Sequence, residues 1–402
     1  MKILTISSVF PNKNLPFTGL FVYERMKHVA AKSHVMVVAP VPWSPFDSII
    51  RRFKKTFRPA RAGKEIRGGL EVRYIRFFCL PGIFKFLDGY LYYQSIVKPV
   101  AGLVKKNDID LIDVHFAYPD GFAAMLLAKK LGLPFCVTVR GTELPYSKSF
   151  YRRWQMRWVF KKAAKIISVS QSLSRVALQT GASPEKIKII PNGINTDIFY
   201  PRSRSRAREL LGIERKATVI LSVGGLVKRK GFHRIIRHLP QLQNSVNPIL
   251  FLIVGGGSVE GDYSKELQAQ VQDYHLESVV RFEGQQPPEK LPWYYSAADL
   301  FVLATANEGW PNVIVESLAC GTPVVATDVG GVKEIITHDY LGFTVPFGNS
   351  VALYCAMEKG LKKKWDRDRI TAYGQNRSWG NVADEVLAVF KEIAATDNQQ
   401  EI

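Results

Sequence analysis

Short apolar runs alternate with helical segments through both halves of the chain, and this alternation constrains the fold more than any other feature. Several runs are continuously apolar, as expected of parallel strands that are buried on both faces. Helices between such strands indicate βαβ units and doubly wound parallel sheets, so the predicted fold class is α/β. The predicted strands cover residues 3–7, 35–39, 72–77, 110–115, 135–139, 166–170, 188–190, 219–223, 250–254, 279–282, 300–303, 324–326 and 342–345.

The length of 402 residues exceeds what one ordinary hydrophobic core supports, so two domains are predicted. Residues 1–200 form the predicted N-terminal domain and residues 201–379 the C-terminal domain. The boundary is placed near residues 200–208, where Pro and polar residues interrupt the pattern. A last helix is predicted at residues 382–393 from its apolar spacing, followed by a polar tail at 395–402 that is expected to fray.

The composition, with 47% hydrophobic and 22% charged residues, is typical of a folded globular protein. No apolar run reaches the roughly 18–20 residues that span a bilayer. The N-terminal apolar stretch is short and lacks a small-residue cleavage site, which favours a first strand over a secretory signal. The four cysteines have no CxxC spacing, so neither a zinc site nor a disulfide framework is predicted, and a reducing, cytoplasmic setting is expected.

The net charge of +20 is concentrated in one half of the chain. Residues 1–195 carry 32 Lys and Arg against 11 Asp and Glu, whereas the remainder is almost neutral. Such an imbalance predicts an anionic partner for the N-terminal half. Phosphate contacts to a nucleic acid are one alternative, but the chain lacks an RNA- or DNA-binding signature.

Two basic stretches with aromatic residues favour an anionic membrane surface as that partner. The first covers residues 51–58 and continues to Arg67, and the second, residues 151–162, is predicted to be a basic amphipathic helix. Such segments are typical of proteins that lie on anionic membranes. The hypothesis is peripheral attachment to the inner membrane face with a lipid-linked saccharide acceptor. The alternative is a generally basic surface with aromatic residues in the core.

The sharpest motif runs from Glu308 to Glu316, between a predicted strand and a predicted helix. Asn312 is predicted to cap this helix and Pro311 to fix its entry turn. The N–H groups at such a helix start lie near the carboxyl ends of the strands, where α/β sheets bind ligands, and they suit a diphosphate. The two carboxylates can accept hydrogen bonds from sugar and ribose hydroxyls. The alternative is one Glu that stabilises the helix dipole and one solvated surface Glu.

A Gly-rich loop follows another predicted strand and carries three consecutive cations, Lys228, Arg229 and Lys230. A strand, a Gly-rich loop and a lysine together make a phosphate-binding arrangement. The loop has neither the Walker spacing nor the GxGxxG pattern, and an exposed basic turn is the alternative.

Four further residues lie just beyond predicted strands of the N-terminal half. Gly19 permits close approach of the backbone to a ligand, with an ordinary loop glycine as the alternative. His115 ends an apolar strand, where ligands bind in α/β proteins, although a lone histidine is more often structural. The same reasoning applies to Arg140 and Glu143.

Together these motifs resemble the family 4 (group 1) glycosyltransferases, which have the GT-B fold. The resemblance runs through nearly the whole chain. The segment 308–316 is similar to the family's E-x7-E signature, and the run 316–331 is similar to its continuation. Residues 191–199 resemble the segment that enters the interdomain linker, and residues 378–379 resemble the pattern before the last helix.

The resemblance implies two Rossmann-like domains that face each other across a cleft, with a nucleotide-sugar donor bound there. It implies that a last helix, near residues 380–394, packs back on the first domain. It also implies an enzyme of the hexosyltransferase type that retains the anomeric configuration of the transferred sugar.

The resemblance further implies a role for each motif residue. Lys230 would neutralise the donor diphosphate, with Gly19 beside it, and Glu316 would bind the nucleotide ribose. Glu308 would bind hydroxyls of the transferred sugar, and His115 would lie near its reacting carbon. Lys230, Glu308 and His115 are therefore the catalytic candidates. The remaining donor-binding candidates are Gly309, Asn312 and Val313.

Two departures from the family pattern concern this site. The family's loop usually reads Gly-Arg-Leu, whereas this chain has Gly225 at the Arg position, so Lys228 or Arg229 is a possible substitute cation. The family often has His where this chain has Arg140. Arg140, together with the nearby Glu143, is therefore a possible site residue.

Catalysis without a metal or other cofactor is expected, because Lys230 and the N–H groups at Asn312 and Val313 can stabilise the departing phosphate electrostatically. Two DxD patterns, at residues 108–110 and 366–368, are interpreted as surface turns because neither follows the carboxyl end of a strand.

The predicted function is transfer of a sugar from a UDP- or GDP-sugar to a saccharide or lipid-linked acceptor, in cell-surface polysaccharide or glycoconjugate synthesis. The predicted partners are the donor, the acceptor and an anionic membrane surface, without nucleic acid. The alternatives are another GT-B enzyme, such as a sugar-nucleotide epimerase or a phosphorylase, and a basic nucleic-acid-binding protein.

Overall fold

The chain forms two compact units. Unit 1 comprises Met1–Gly193 together with Trp379–Ile402, and unit 2 comprises Ile194–Ser378. The computed structural model describes residues 1–53, 57–58, 63–80, 82, 84–258 and 260–398.

Unit 1 is built on a mostly parallel sheet. Its described strands are β1 Lys2–Ile6, β2 His34–Val38, β3 Val41–Trp43, β4 Gly63–Arg67, β5 Leu70–Tyr74, β6 Arg76–Phe78, β7 Leu111–His115, β8 Phe135–Val139, β9 Lys165–Ser168 and β10 Ile187–Ile189. The large sheet has the order β10-β9-β8-β7-β1-β2-β5-β4, and β3 pairs with β6 separately. Only the edge pair β4–β5 of this large sheet is antiparallel in the described residues. The order reverses between β1 and β7, where doubly wound sheets bind ligands at the strand carboxyl ends.

The helices of the first part of unit 1 cover this sheet. They are α1 Leu20–Ala30, α2 Asp47–Phe53, α3 Asp88–Asn107, α4 Phe122–Leu131, α5 Glu143–Tyr146, α6 Phe150–Lys162 and α7 Gln171–Thr180. Every residue of β7 and β8 is buried, because helices pack on both faces of these central strands.

Unit 2 has a fully parallel sheet. Its described strands are β11 Thr218–Val223, β12 Ile249–Val254, β13 Val280–Gly284, β14 Leu300–Leu303, β15 Val324–Thr327 and β16 Gly342–Val345. Their order is β13-β12-β11-β14-β15-β16, which is the Rossmann order 3-2-1-4-5-6. The reversal point therefore lies between β11 and β14.

The helices of unit 2 precede, connect and follow these strands along the chain. They are α8 Arg204–Leu210, α9 Phe232–Ile236, α10 Leu239–Gln243, α11 Ser264–Asp273, α12 Leu291–Ala297, α13 Asn312–Ala319, α14 Val332–Ile335, α15 Ser350–Lys362 and α16 Arg367–Gly374.

The last helix, α17 Trp379–Asn398, returns to unit 1. Its apolar residues Val386 and Phe390 are buried in one core cluster with Val22, Met26 and Val29 of α1. The apolar spacing that predicts the helix is thus the face that unit 1 buries.

The predicted α/β class with doubly wound sheets is confirmed, and the strands at 135–139, 300–303 and 342–345 match the prediction to the residue. The sequence does not predict β3 or β4. β4 is a mostly exposed edge strand with the polar sequence Gly-Lys-Glu-Ile-Arg, and β3 contains a proline, so neither carries the apolar signal of a buried strand.

The predicted domain boundary lies a few residues after the structural one. Ile194 donates its N–H to the Arg377 carbonyl at 2.9 Å, and both Ile194 and Phe199 are buried in the core of unit 2. The chain therefore enters unit 2 before the polar run at 200–208 that signals the boundary in the sequence.

The two DxD patterns belong to helix ends. Asp108 follows α3 in a left-handed conformation, and the Asp366 side chain accepts the N–H of Arg369 at the start of α16. Of the first basic stretch and its continuation to Arg67, residues 54–56 and 59–62 lie outside the described residues. In the described part of the chain, no helix is both long enough and apolar enough to cross a membrane.

Candidate functional site

The reversal point of the unit 2 sheet brings two sequence motifs together. β11 and β14 are parallel neighbours. The Gly-rich loop follows β11, and the loop that contains Glu308 follows β14. Both loops leave the same edge of the sheet, where α/β proteins bind ligands.

Lys230 and Glu308 form the central ion pair at this edge. Lys230 Nζ lies 2.6 Å from Glu308 Oε1, and both side chains are mostly buried. Thr305 Oγ1 donates a second hydrogen bond to Glu308 Oε1 at 3.1 Å. Gly231 follows Lys230 with φ 81°, and a Cβ there would stand 1.9 Å from the Ala304 carbonyl oxygen. The turn that presents Lys230 therefore requires glycine.

Arg229 contacts the same carboxylate and a second one. Its Nη1 donates to the Asn307 carbonyl at 2.7 Å and to Glu308 Oε1 at 3.3 Å. Its Nε and Nη2 donate to Glu260 at 2.9 and 2.7 Å. The hydrogen bond from Arg229 lowers the pKa of Glu260, against the effect of its partial burial. The sequence carries no signal for Glu260, which lies in the loop after β12 and belongs to no motif.

The departure at Gly225 has a local structural consequence. A Cβ at Gly225 would lie 3.2 Å from the Ser258 Cβ, so an arginine there would require Ser258 to move. Of the two possible substitute cations, Lys228 is exposed, whereas Arg229 is partly buried beside Glu308. The structure thus brings Arg229, and not Lys228, to the Lys230–Glu308 pair.

Glu316 lies in the second turn of α13. Tyr295, a buried residue of α12, donates its hydroxyl to Glu316 Oε2 at 2.8 Å. Burial raises the pKa of Glu316 to about 7, and the Tyr295 hydrogen bond and the charge of Lys230 act against that rise. The Glu316 carboxyl therefore titrates near neutral pH.

The helix that carries Glu316 begins at Asn312, with Pro311 at the capping position. The prediction that Asn312 caps the helix is wrong by one residue. Pro311 has an extended conformation with ψ 93°, and the helical turn starts directly after it. The N–H groups of Asn312 and Val313 belong to the first turn of this helix. The positive end of the helix dipole at this position favours an anionic ligand.

Two glycines after β15 pack against the Glu308 loop. Gly331 N donates to the Gly309 carbonyl at 3.2 Å. Gly330 has φ 58°, and a Cβ at this position would stand 1.7 Å from the Glu308 carbonyl oxygen. The backbone of the Glu308-Gly309 segment is therefore positioned by residues that follow the next strand.

Gly19 lies at the start of α1 in unit 1, with φ 74°. A Cβ there would lie 2.3 Å from the Val9 carbonyl oxygen, so the position requires glycine for packing against its own chain. The contact with Val9 is enough to explain why this position is a glycine. The location of Gly19 beside the donor diphosphate stays a prediction.

His115 ends β7 and is fully buried. Its Nδ1 accepts a hydrogen bond from Arg140 Nε at 2.8 Å, and its Nε2 lies 3.0 Å from Asp113 Oδ2. Because an arginine only donates, we assign the proton to Nε2, which donates to Asp113. Burial lowers the pKa of His115 to about 4; Asp113 acts in the opposite direction, and Arg140 adds to the lowering. His115 is thus neutral with both ring nitrogens engaged, and its place near the reacting carbon stays a prediction.

Glu143 closes the loop after β8. Its buried carboxylate accepts hydrogen bonds from the backbone N–H groups of Ala117, Arg140 and Gly141 at 2.9, 3.1 and 2.8 Å. These contacts give Glu143 a role in holding the loop. The Arg140 guanidinium extends to the side-chain carbonyl of Asn192 at 3.0 Å.

The sequence does contain a signal for Asp113, which contacts the candidate site residue His115. It precedes His115 by two residues in β7, and residues two apart in a strand point to the same face. Tyr295 and Glu260 carry no such signal, because they reach their partners only through the folded sheet.

Two family models match the chain. One describes Glycosyltransferase Family 4 and matches residues 22–198, and the other describes Glycosyl transferases group 1 and matches residues 203–377.

The chain is also similar to named glycosyltransferases and to solved structures. The putative teichuronic acid biosynthesis glycosyltransferase TuaC of Bacillus subtilis is 29% identical over 353 residues, or 85% of each chain. The D-inositol 3-phosphate glycosyltransferase of Acidothermus cellulolyticus is 31% identical over 226 residues, 54% of this chain and 50% of the relative. The structure of Anabaena Alr3699/HepE in complex with UDP matches with a TM-score of 0.75 at 22% identity, covering 98% of this chain and 100% of that chain.

The two parallel-sheet units and the matching solved structures define the GT-B fold. The two family models between them match most of the sequence, and the chain belongs to the family 4 (group 1) glycosyltransferases.

Proposed function

We propose that this glycosyltransferase moves a sugar from a UDP- or GDP-sugar to a saccharide or lipid-linked acceptor, with retention of the anomeric configuration. The observation that carries this proposal is the Lys230–Glu308 ion pair at the reversal point of the unit 2 sheet. The pair combines a cation for a diphosphate with a carboxylate for sugar hydroxyls, and Glu308 lies on the loop that leads into the start of α13.

The names of similar proteins support the proposed type of donor and the proposed type of pathway. Structures of Anabaena Alr3699/HepE, which has the same fold, contain UDP and UDP-glucose. TuaC carries the name of a teichuronic acid biosynthesis enzyme. A UDP-sugar is therefore the first donor to test, and synthesis of a cell-surface polysaccharide or glycoconjugate is the proposed pathway class.

The donor diphosphate gains negative charge as its bond to the sugar breaks. Lys230 and the N–H groups of Asn312 and Val313 stabilise this charge electrostatically, so the proposed mechanism needs no metal or other cofactor. In the free protein Glu308 neutralises Lys230. A bound diphosphate takes over the ammonium group and frees Glu308 for the sugar hydroxyls, while Glu316 accepts hydrogen bonds from the ribose.

Glu308 serves as a binding group and not as a covalent nucleophile in this proposal. Both Lys230 and Arg229 donate to its Oε1 atom. A covalent route of the glycosidase type needs two carboxylates across the scissile bond, and the proposal assigns only one to the sugar.

The test follows donor turnover by NMR. The enzyme is incubated with UDP-glucose, UDP-galactose, UDP-N-acetylglucosamine or GDP-mannose, with and without EDTA, and the sugar released slowly to water is recorded. We expect one donor to be cleaved, its α-anomer to appear first, and EDTA to have no effect. Glu308→Gln should lower the rate roughly 100-fold. Glu266→Gln, an exposed residue of α11, should keep the parent rate.

Three outcomes would contradict the proposal. A β-anomer that appears first rules out retention. An epimerised nucleotide sugar indicates an epimerase, and a sugar 1-phosphate that forms only with inorganic phosphate indicates a phosphorylase.

Unit 1 has an exposed aromatic patch that supports the membrane part of the proposal. The Phe86 and Tyr151 rings lie 5.2 Å apart, and the Trp154 and Trp158 rings lie 4.4 Å apart. The side chains of α6 that face the core are instead Gln155, Met156, Val159 and Phe160. The aromatic patch consists of Phe84, Phe86, Phe150, Tyr151, Trp154 and Trp158, all exposed.

Cations accompany this aromatic patch, since Arg153 and Arg157 are exposed on the same helix. Aromatic rings enter the interface of a bilayer, and each nearby cation adds about 1 kcal/mol of attraction to anionic lipid. The proposal is that the patch attaches the enzyme to the inner membrane face, where a lipid-linked acceptor is available.

Vesicle flotation tests this attachment. The protein should float with phosphatidylglycerol vesicles at low salt and not with phosphatidylcholine vesicles. The double variant Trp154→Ala/Trp158→Ala should lose flotation, and Tyr274→Ala, an exposed residue of unit 2, should keep it. Equal flotation of the parent and the double variant would overturn the role of the patch.

A further inference from the structure

Arg140 is a buried arginine that forms no direct ion pair with the described residues. Its side chain is 8% exposed. Nε donates to the neutral His115 ring, and Nη1 donates to the Asn192 side-chain carbonyl. Nη2 is buried and has no hydrogen-bond partner in the described structure. The guanidinium therefore donates hydrogen bonds to two neutral acceptors, and its Nη2 group donates none in the described structure.

The nearby carboxylates are engaged with other groups. Asp113 accepts from Thr5 at 3.2 Å and from His115, and Glu143 accepts three backbone N–H groups. Neither carboxylate accepts a hydrogen bond from the Arg140 guanidinium. Burial lowers the pKa of Arg140 and the buried Arg25 lowers it further, although the two carboxylates act in the opposite direction. A ligand with a negative charge would therefore stabilise the buried Arg140 guanidinium.

Arg208 in unit 2 provides a comparison within the same chain. It is 5% exposed, and its Nη2 lies 2.8 Å from Asp299 Oδ2. This buried arginine has a carboxylate partner, as expected of a structural charge. An unpaired buried N–H group is unfavourable, so the different arrangement at Arg140 indicates a residue that receives its partner from a ligand.

The position of Arg140 agrees with a ligand site. It directly follows β8, which neighbours β7 at the carboxyl edge of the unit 1 sheet, next to the reversal point. The partly exposed Phe21 ring, in the first turn of α1, lies over the guanidinium at 5.0 Å.

We propose that Arg140 determines specificity for a saccharide substrate that carries an anionic group, with Nη2 receiving a carboxylate or phosphate oxygen of that sugar. The inference rests on the proposed function, because it assigns this residue to saccharide binding in unit 1. A uronate and a sugar phosphate share the required chemistry, and the experiment separates them.

The test is calorimetric titration of the full chain with D-glucuronate, D-glucose 6-phosphate and D-glucose, at matched ionic strength and with saturating UDP. We expect at least one acidic sugar to bind and D-glucose not to bind. Arg140→Gln should raise the Kd of that acidic sugar about tenfold or more, because a charged hydrogen bond is lost. Arg175→Gln, an exposed arginine of α7, should keep the parent Kd.

The inference is overturned if no acidic sugar binds, if D-glucose binds equally, or if Arg140→Gln keeps the parent Kd. Should Arg140→Gln fail to fold, Arg140→Lys decides, since it keeps the charge but not the planar guanidinium, and an unchanged Kd would overturn the inference.

UDP binding to the parent, measured first on the same samples, separates the two proposals. Its absence counts against the proposed function, whereas normal UDP binding with no acidic-sugar effect counts against Arg140 alone.

Discussion

Three donors converge on the Oε1 atom of Glu308: Lys230 at 2.6 Å, Thr305 at 3.1 Å and Arg229 at 3.3 Å. The carboxylate holds the two cations in position before any ligand is present. In the proposed mechanism, a bound diphosphate would replace Glu308 as their partner and would meet charges that are already oriented. Such preorganisation is what electrostatic stabilisation of a departing phosphate requires.

Glu316 supplies a pH-dependent prediction at the residue scale. Its pKa rises from the ordinary 4.5 to about 7 in the folded protein, chiefly through burial. The folded state therefore binds the proton more tightly, and stability falls as pH rises from about 4.5 to 7. Glu316→Gln removes this penalty, which is on the order of 3 kcal/mol at high pH.

Chemical denaturation of the parent and Glu316→Gln at pH 5 and pH 8 measures this effect. The gain in unfolding free energy from the substitution should be clearly larger at pH 8. Other titrating groups, including the buried Asp120 with its pKa raised to about 7 by burial, are present in both proteins and cancel in the difference. An equal gain at both pH values would contradict the buried-carboxyl assignment.

For individual residues, the sequence predicts the members of the motifs better than it predicts the side chains that hydrogen-bond to them. Lys230 and Glu308 belong to loops that follow apolar strands, and the structure brings them into contact. Tyr295 holds Glu316 from 21 residues away and Glu260 holds Arg229 from 31 residues away. Neither partner follows a strand-end pattern, so only the packed structure identifies them.

At the scale of elements, the loops at the unit 2 sheet edge depend on close backbone packing. The Glu308 loop lies against Gly330, which leaves no space for a Cβ. The sequence predicts the strands on either side because they are buried and apolar. It predicts neither this contact nor the exposed strand β4, because close packing and edge pairing leave no periodic apolar signal.

Gly330→Ala should disturb the proposed donor site through this contact. The new Cβ would stand 1.7 Å from the Glu308 carbonyl oxygen, so the loop must move. Gly212→Ala is the matched control, because Gly212 also has a positive φ of 59° but has open space around its Cβ position. The control should lose about 1–2 kcal/mol from left-handed strain alone.

Thermal denaturation with and without UDP distinguishes the two variants. Gly330→Ala should be less stable than Gly212→Ala and should lose most of the UDP-induced shift, which Gly212→Ala should keep. A full UDP shift in Gly330→Ala would show that the Glu308 loop tolerates displacement.

At the scale of the whole molecule, unit 1 is not a continuous stretch of the chain. Unit 1 combines the N-terminal part of the chain with α17, whose apolar face completes the core beside α1. The sequence predicts the helix from its spacing, but its return to unit 1 comes from the family resemblance and not from periodicity. The excess positive charge of residues 1–195 falls almost wholly in unit 1.

Phe390→Ala tests the contribution of α17. Phe390 is fully buried with Val22, Met26 and Val29, so its truncation should cost about 3–5 kcal/mol of unfolding free energy. Lys391→Ala, an exposed neighbour on the same helix, should change stability by less than about 0.5 kcal/mol. Urea denaturation of both variants checks the prediction, and a small effect of Phe390→Ala would show that unit 1 does not depend on this helix.

The most direct test of the account is a thermal-shift titration of the parent and Lys230→Ala with UDP, GDP and ADP. A nucleotide at 100 times its Kd should stabilise the parent by about 2.7 kcal/mol. We predict that UDP or GDP produces this shift and that Lys230→Ala abolishes it, whereas Lys216→Ala, an exposed lysine of unit 2, retains it. If no nucleotide stabilises the parent, or if Lys230→Ala shifts as the parent does, the donor site does not lie at the Lys230–Glu308 pair.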